Sequence, residues 1–95
     1  MTERIQIKGG IYFRSVLVNR RDYVSQHVHT HDHATYVGKG RCQLWEDGRD
    51  RGIFTEGDVI EIKAGAVHKF DILENETRLV CVWPENVDED WKWAG

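Results

Sequence analysis

The sequence predicts an all-β sandwich or barrel, and three observations carry that reading. Short runs rich in β-branched and aromatic residues recur along the chain, turn signals separate them about every ten residues, and no helical period appears before the C-terminal tail.

The first expected strand is Ile11–Val18, entered from the Gly9-Gly10 turn. The polar stretch Asn19-Arg20-Arg21-Asp22 then leads into Tyr23–His29. Thr35–Val37 follows and ends at the turn signal Gly38-Lys39-Gly40, and Arg41–Glu46 ends at Asp47-Gly48. After Glu56-Gly57 comes Asp58–Ile62. After Ala64-Gly65 comes His68–Leu73, and after Glu74-Asn75-Glu76 comes Arg78–Trp83. The core is therefore expected over about residues 11–83 of a single domain, 1–95. The tail, residues 84–95, is acidic but carries Trp91 and Trp93. Tryptophan buries a large area, so the tail is expected to dock on the barrel or on a partner subunit.

Ninety-five residues leave room for one modest core. The net charge is −3, and the basic pairs Arg20-Arg21 and Arg49/Arg51 are diluted by aspartates, so no nucleic-acid surface is expected. No segment approaches membrane-spanning length and the N-terminus lacks an apolar signal core, which predicts no membrane partner and a cytoplasmic location. Cys42 and Cys81 stand apart in apolar runs with no C-x-x-C spacing, and read as buried thiols rather than a bridge or a zinc motif.

Chemistry concentrates in the histidines. Four of the five lie within seven residues, as His27, His29, His31 and His33, and the fifth is His68. Neutral imidazole offers a lone pair at physiological pH, which makes histidine the commonest metal ligand. On one straight strand the four would form a single row with about 7 Å between successive members. Such a row cannot close around one ion, because ligating nitrogens lie only about 2 Å from the metal. A site that uses several of them needs a bend, and Thr30-His31-Asp32 is polar enough to supply it. His27 and His29 then end one strand, and His33 begins the next facing the same space.

These residues resemble the two motifs of the cupins. The first motif runs histidine, any residue, histidine, three or four residues, glutamate, six residues, glycine. His27, His29, His33 and Gly40 match its spacing, with His33 in the glutamate position. The second runs glycine, five residues, proline, any residue, glycine, two residues, histidine. Gly57, Lys63, Gly65 and His68 match it, with lysine in place of proline. Arg21 stands where the first motif opens on glycine, and Ile72 where an asparagine often follows the second histidine. The resemblance spans about residues 11–83. It implies a cupin-type jelly-roll barrel of two packed antiparallel sheets with a metal inside, held by His27, His29, His33 and His68.

Four neutral imidazoles leave a divalent site at +2, where three imidazoles and a carboxylate leave +1. The expected metal is accordingly iron, nickel, copper or zinc rather than an oxygen-preferring ion. His31 is set outside the ligand set. Asp32 and Glu61 read as solvent-facing or supporting residues. Tyr36 and Phe70 are the candidate pocket residues, Phe70 because it shares strand parity with His68. Tyr12, Phe13 and Trp83 read as cavity lining or ordinary core. The implied function is a metalloenzyme acting on a small anionic metabolite by oxygenase, isomerase or lyase chemistry. The alternatives are a non-catalytic, metal-dependent binding module for a sugar or organic acid, and a metal that only stabilises the barrel. A homodimer is expected, with Ile5, Ile7 and the tail tryptophans covering sheet edges.

Overall fold

The computed structural model describes residues 2–27 and 32–84, with the side chains of 23–27 outside that description. Among the described residues there are nine strands and no helix: β1 (Thr2–Lys8), β2 (Ile11–Val18), β3 (Tyr23–His27), β4 (His33–Lys39), β5 (Arg41–Glu46), β6 (Arg49–Thr55), β7 (Val59–Ile62), β8 (His68–Ile72) and β9 (Thr77–Pro84). They form two antiparallel sheets, ordered β1-β2-β9-β4-β7 and β3-β8-β5-β6. The all-β expectation holds, and so do the two packed sheets.

Burial alternates along the strands with period two, as it must when one face meets the opposite sheet. On β2, Tyr12, Arg14, Val16 and Val18 are buried; on β4, His33, Thr35 and Val37; on β8, His68, Phe70 and Ile72. Val16, Val37, Leu44, Ile60, Phe70 and Leu79 form the centre of one contiguous cluster.

Two strands lie beyond the expected set. β1 pairs along its whole length with β2, so the barrel begins before residue 11. β6 pairs with β5. Both are sheet edges, largely exposed and rich in charge, so their pairing comes from backbone hydrogen bonding and turn geometry rather than from an apolar stripe. The turn Asp47-Gly48 has positive φ at both residues, 52° and 76°, the geometry that folds a tight hairpin. β4 is also longer than expected. It runs through Gly38 and Lys39, and the turn contracts to Gly40. The expected strand Tyr23–His29 is described to His27; residues 28–31 and 85–95, with Trp91 and Trp93, lie outside the described residues.

Gly40 closes the first motif for a steric reason. Its φ is +83°, and a Cβ there would fall 2.9 Å from the Cα and Cβ of Thr77, and closer still to the Thr77 hydroxyl. At Gly9, φ is +58° but the space around it is open. Gly40→Ala is expected to cost about 2–4 kcal/mol, strain plus overpacking, against about 1 kcal/mol for Gly9→Ala from handedness alone. Urea denaturation measures both, and equal costs would refute the steric account.

Both cysteines are free. Burial, with a smaller contribution from the Asp58 charge, pushes the Cys42 thiol up to about 12. Burial also raises the Cys81 thiol, which lies 3.4 Å from the Thr35 hydroxyl. Below the ordinary thiol range both folded and unfolded chains keep these protons, and pH has no effect through them. Above about pH 9 the unfolded chain releases protons that the native chain retains, so stability falls as pH rises. The alkaline slope of stability is expected to flatten in Cys42→Ala, and neither native thiol should react with a thiol reagent at pH 8. A native thiol that reacts at the rate of the unfolded chain contradicts this placement.

Candidate metal centre

Two of the motif histidines, one from each sheet, meet inside the barrel. His33 opens β4 and His68 opens β8; both are buried, and their ring centres lie 5.4 Å apart at an interplanar angle of 48°. Two imidazoles sharing one ion at metal–nitrogen distances of about 2.0–2.1 Å stand with ring centres roughly 5 Å apart in a tetrahedral arrangement. The donor chemistry and the spacing therefore both fit a transition metal. The backbone of His27 lies directly opposite His68 in the β3–β8 ladder. The His27 side chain, His29 and His31 lie outside the described residues, as do Thr30 and His31 of the expected bend. Among the described residues no group of three or more His, Cys, Asp or Glu side chains is placed to hold an ion.

The pair sits in a row of aromatic rings. Trp83 of β9 meets His33 edge-on at 6.2 Å, and Tyr12 of β2 stacks on Trp83 at 5.8 Å. On the other sheet Phe70 meets His68 edge-on at 5.9 Å. Phe70 thus lies beside the histidine pair, on the face its parity with His68 predicted. Tyr36 does not. It is three residues from His33, an odd spacing that turns it to the outer face of β4, where it is 42% exposed. Phe13, half-buried, has the opposite parity to Tyr12 and Arg14.

Two aspartates hold the histidine loops together. Asp32, just before His33, accepts a hydrogen bond from the Ala64 N–H at 2.7 Å, tying the start of β4 to the turn before β8. Asp47 accepts one from the Val67 N–H at 2.9 Å, and its own N–H donates to the Val67 carbonyl at 2.7 Å. The residue just before His68 is thereby clipped to the β5–β6 hairpin. Lys63, the residue in the motif's proline position, lies 2.6 Å from Glu61 and 3.8 Å from Asp32. Glu61 is exposed, as expected, and its hydrogen bond with Lys63 raises the lysine above its ordinary value.

Two inward-facing charged residues were not among the candidates. Arg14 is buried one row beneath the histidines, beside Cys81 and Thr35 in the ladder, and pairs with Glu3 of β1 at 2.5 Å. Its parity with Val16 and Val18 is the signal that marks it as inward. Glu46 of β5 is the ladder partner of His68. At the other end of the barrel, Asn19–Asp22, Asn75 and Glu76 line an open polar concavity of about 1030 Å³, away from the histidines. Among the described residues no helix is long and apolar enough to cross a membrane.

The geometry is that of an antiparallel β-barrel with histidines from two strands facing one another inside it. The family model described as the cupin domain matches residues 15–84, and the chain belongs to that family. Metal binding is common among cupins. No protein of curated function matches the chain by sequence. Among solved structures it is similar to KdgF from a Halomonas species, with 20% identity and a TM-score of 0.78 over 92% of this chain and 80% of that one. It is also similar to a cupin-2 domain protein from Shewanella frigidimarina, with 20% identity and a TM-score of 0.71 over 87% and 79%. An RmlC-like cupin with a double-stranded β-helix fold from Methanocaldococcus jannaschii gives 10% identity and a TM-score of 0.74 over 87% and 80%. At these identities the likeness is one of fold.

Proposed function

We propose that this cupin binds a divalent transition metal (iron, nickel, copper or zinc) through His27, His29, His33 and His68, and is a metalloenzyme for a small anionic metabolite. The reaction class is oxygenase, isomerase or lyase. The observation that carries the reading is the buried pair His33–His68, brought from two sheets to 5.4 Å, with the His27 backbone directly opposite His68. A bound metal would supply Lewis acidity and open positions for an anionic ligand. The chain's part is to orient the imidazoles against Trp83 and Phe70 and to exclude water behind them.

A cytoplasmic homodimer is part of the same proposal. β1 is a free sheet edge, with Ile5 and Ile7 36% and 47% exposed, and a second copy would cover it. Light scattering should return twice the chain mass; a monomer mass refutes the dimer.

Elemental analysis of the purified protein tests the site. Wild type is expected to hold about one metal per chain, and His33→Ala and His68→Ala should each lose most of it. Chelation should lower the melting temperature. His33→Glu restores a carboxylate to the donor set and is expected to raise the manganese share of the bound metal. Wild-type metal content in both alanine variants would overturn the site. A loaded protein that binds organic acids but never turns one over would favour the binding-module reading instead.

A further inference from the structure

Glu46 stands at the histidine end of the barrel, on the inner face of β5. It is the ladder partner of His68, and directly opposed residues on one sheet face hold their Cβ atoms about 5 Å apart. The alternation of β5 agrees: Cys42 and Leu44, two and four residues earlier, are fully buried, and the Glu46 side chain is 20% exposed at the mouth. The Asp47–Val67 clip fixes the residue after Glu46 to the residue before His68, so the spacing of the two side chains is set by backbone bonds. Along the inward row of Tyr12, Trp83, His33, Ile62, His68 and Glu46, it is the one acid among the described residues.

Arg51 is aimed at it by an irregularity in the ladder. Trp45 pairs with Asp50 and Leu44 with Gly52, which leaves Arg51 as the extra residue of a β-bulge, with Gly52 at φ +100°. Bulges redirect side chains, and here the Arg51 Nη1 donates to Glu46 Oε2 at 2.9 Å. That bond anchors one carboxylate oxygen and leaves Oε1 to accept from a ligand. An ordinary surface pair such as Lys69–Asp71 lies on the outer face; this pair's acid faces the histidines.

We infer that Glu46 is a ligand-binding residue of the histidine site, accepting a hydrogen bond from a hydroxyl of the bound anion, and that Arg51 is the positioning residue that holds it. The inference rests on the proposed metal site, which takes the ligand's anionic group. A carboxylate accepts hydrogen bonds and donates none, so this group takes a hydroxyl in preference to a second carboxylate, itself only an acceptor, or to an alkyl chain. The ligand class is therefore a small hydroxy acid rather than a diacid or a plain aliphatic carboxylate.

Calorimetric titration of the zinc-loaded full chain with gluconate and with hexanoate tests this, with metal content and melting curves checked for every variant. Wild type is expected to bind gluconate at least about tenfold more tightly, the scale of one hydrogen bond to a charged group. Glu46→Ala should remove most of that preference and leave hexanoate binding unchanged, while Glu46→Gln, whose amide oxygen still accepts, keeps part of it. Arg51→Gln should weaken gluconate binding alone, and Arg51→Lys should restore it. Equal binding of the two probes by wild type, or an equal loss of both in Glu46→Ala, overturns the inference while leaving the metal site standing. Failure to take up zinc overturns the metal site and the inference with it, whereas zinc uptake with no binding of either probe overturns the inference alone.

Discussion

β9 is the element on which the inner face of this barrel depends. It pairs with β2 on one side and β4 on the other, joining segments about 65 residues apart in the first case and about 45 in the second. Its register sets Trp83 between Tyr12 and His33, Cys81 between Arg14 and Thr35, and Leu79 between Val16 and Val37. Because side chains alternate strictly, a slip of one residue would turn all of these outward. Each large apolar side chain so buried contributes about 1.5–3 kcal/mol, and that burial selects the register. The same register carries His33 inward at the first residue of β4, where it meets a histidine of the facing sheet. The histidine pair is a product of barrel closure, and packed sheets about 10 Å apart leave just enough room for one ring from each side.

Closure alone would leave the two histidine-bearing ends loose, since each lies at the start of its strand. Polar turns prevent this. Asp32 bonds the turn before β8, and Asp47 bonds Val67 from the neighbouring hairpin. In each a backbone N–H donates to a carboxylate, a charge-assisted bond roughly twice as strong as a neutral one. The loops therefore hold the starts of the two histidine strands through backbone atoms.

Much of this was legible in the sequence. Ile11–Val18 and Arg41–Glu46 match their strands to the residue, because a buried alternating stripe runs through both. His33 and His68 were picked out by spacing to the motif glycines, and Gly40 has a steric cause for being there. Phe70 followed from parity with His68. Tyr36 is near His33 in sequence, but its odd spacing from that histidine turns it outward. Glu46 and Arg14 are hidden in the sequence because a charged residue on an inward stripe reads as a break in the pattern rather than as a member of it.

The two strands that hydrophobic patterning could not find, β1 and β6, escaped it for a related reason. β1 reads Thr-Glu-Arg-Ile-Gln-Ile-Lys and β6 Arg-Asp-Arg-Gly-Ile-Phe-Thr, each with too few apolar residues to mark a stripe. Yet Glu3 of β1 is an ion-pair partner of Arg14, and Arg51 of β6 is the partner of Glu46. A guanidinium or carboxylate on the inner face would be costly without an opposite charge. The neutralising charges come from the edges, where one member of each pair stays in contact with solvent and the desolvation penalty is shared. The polar composition that hides these strands is thus what lets the barrel carry charge on its inner face.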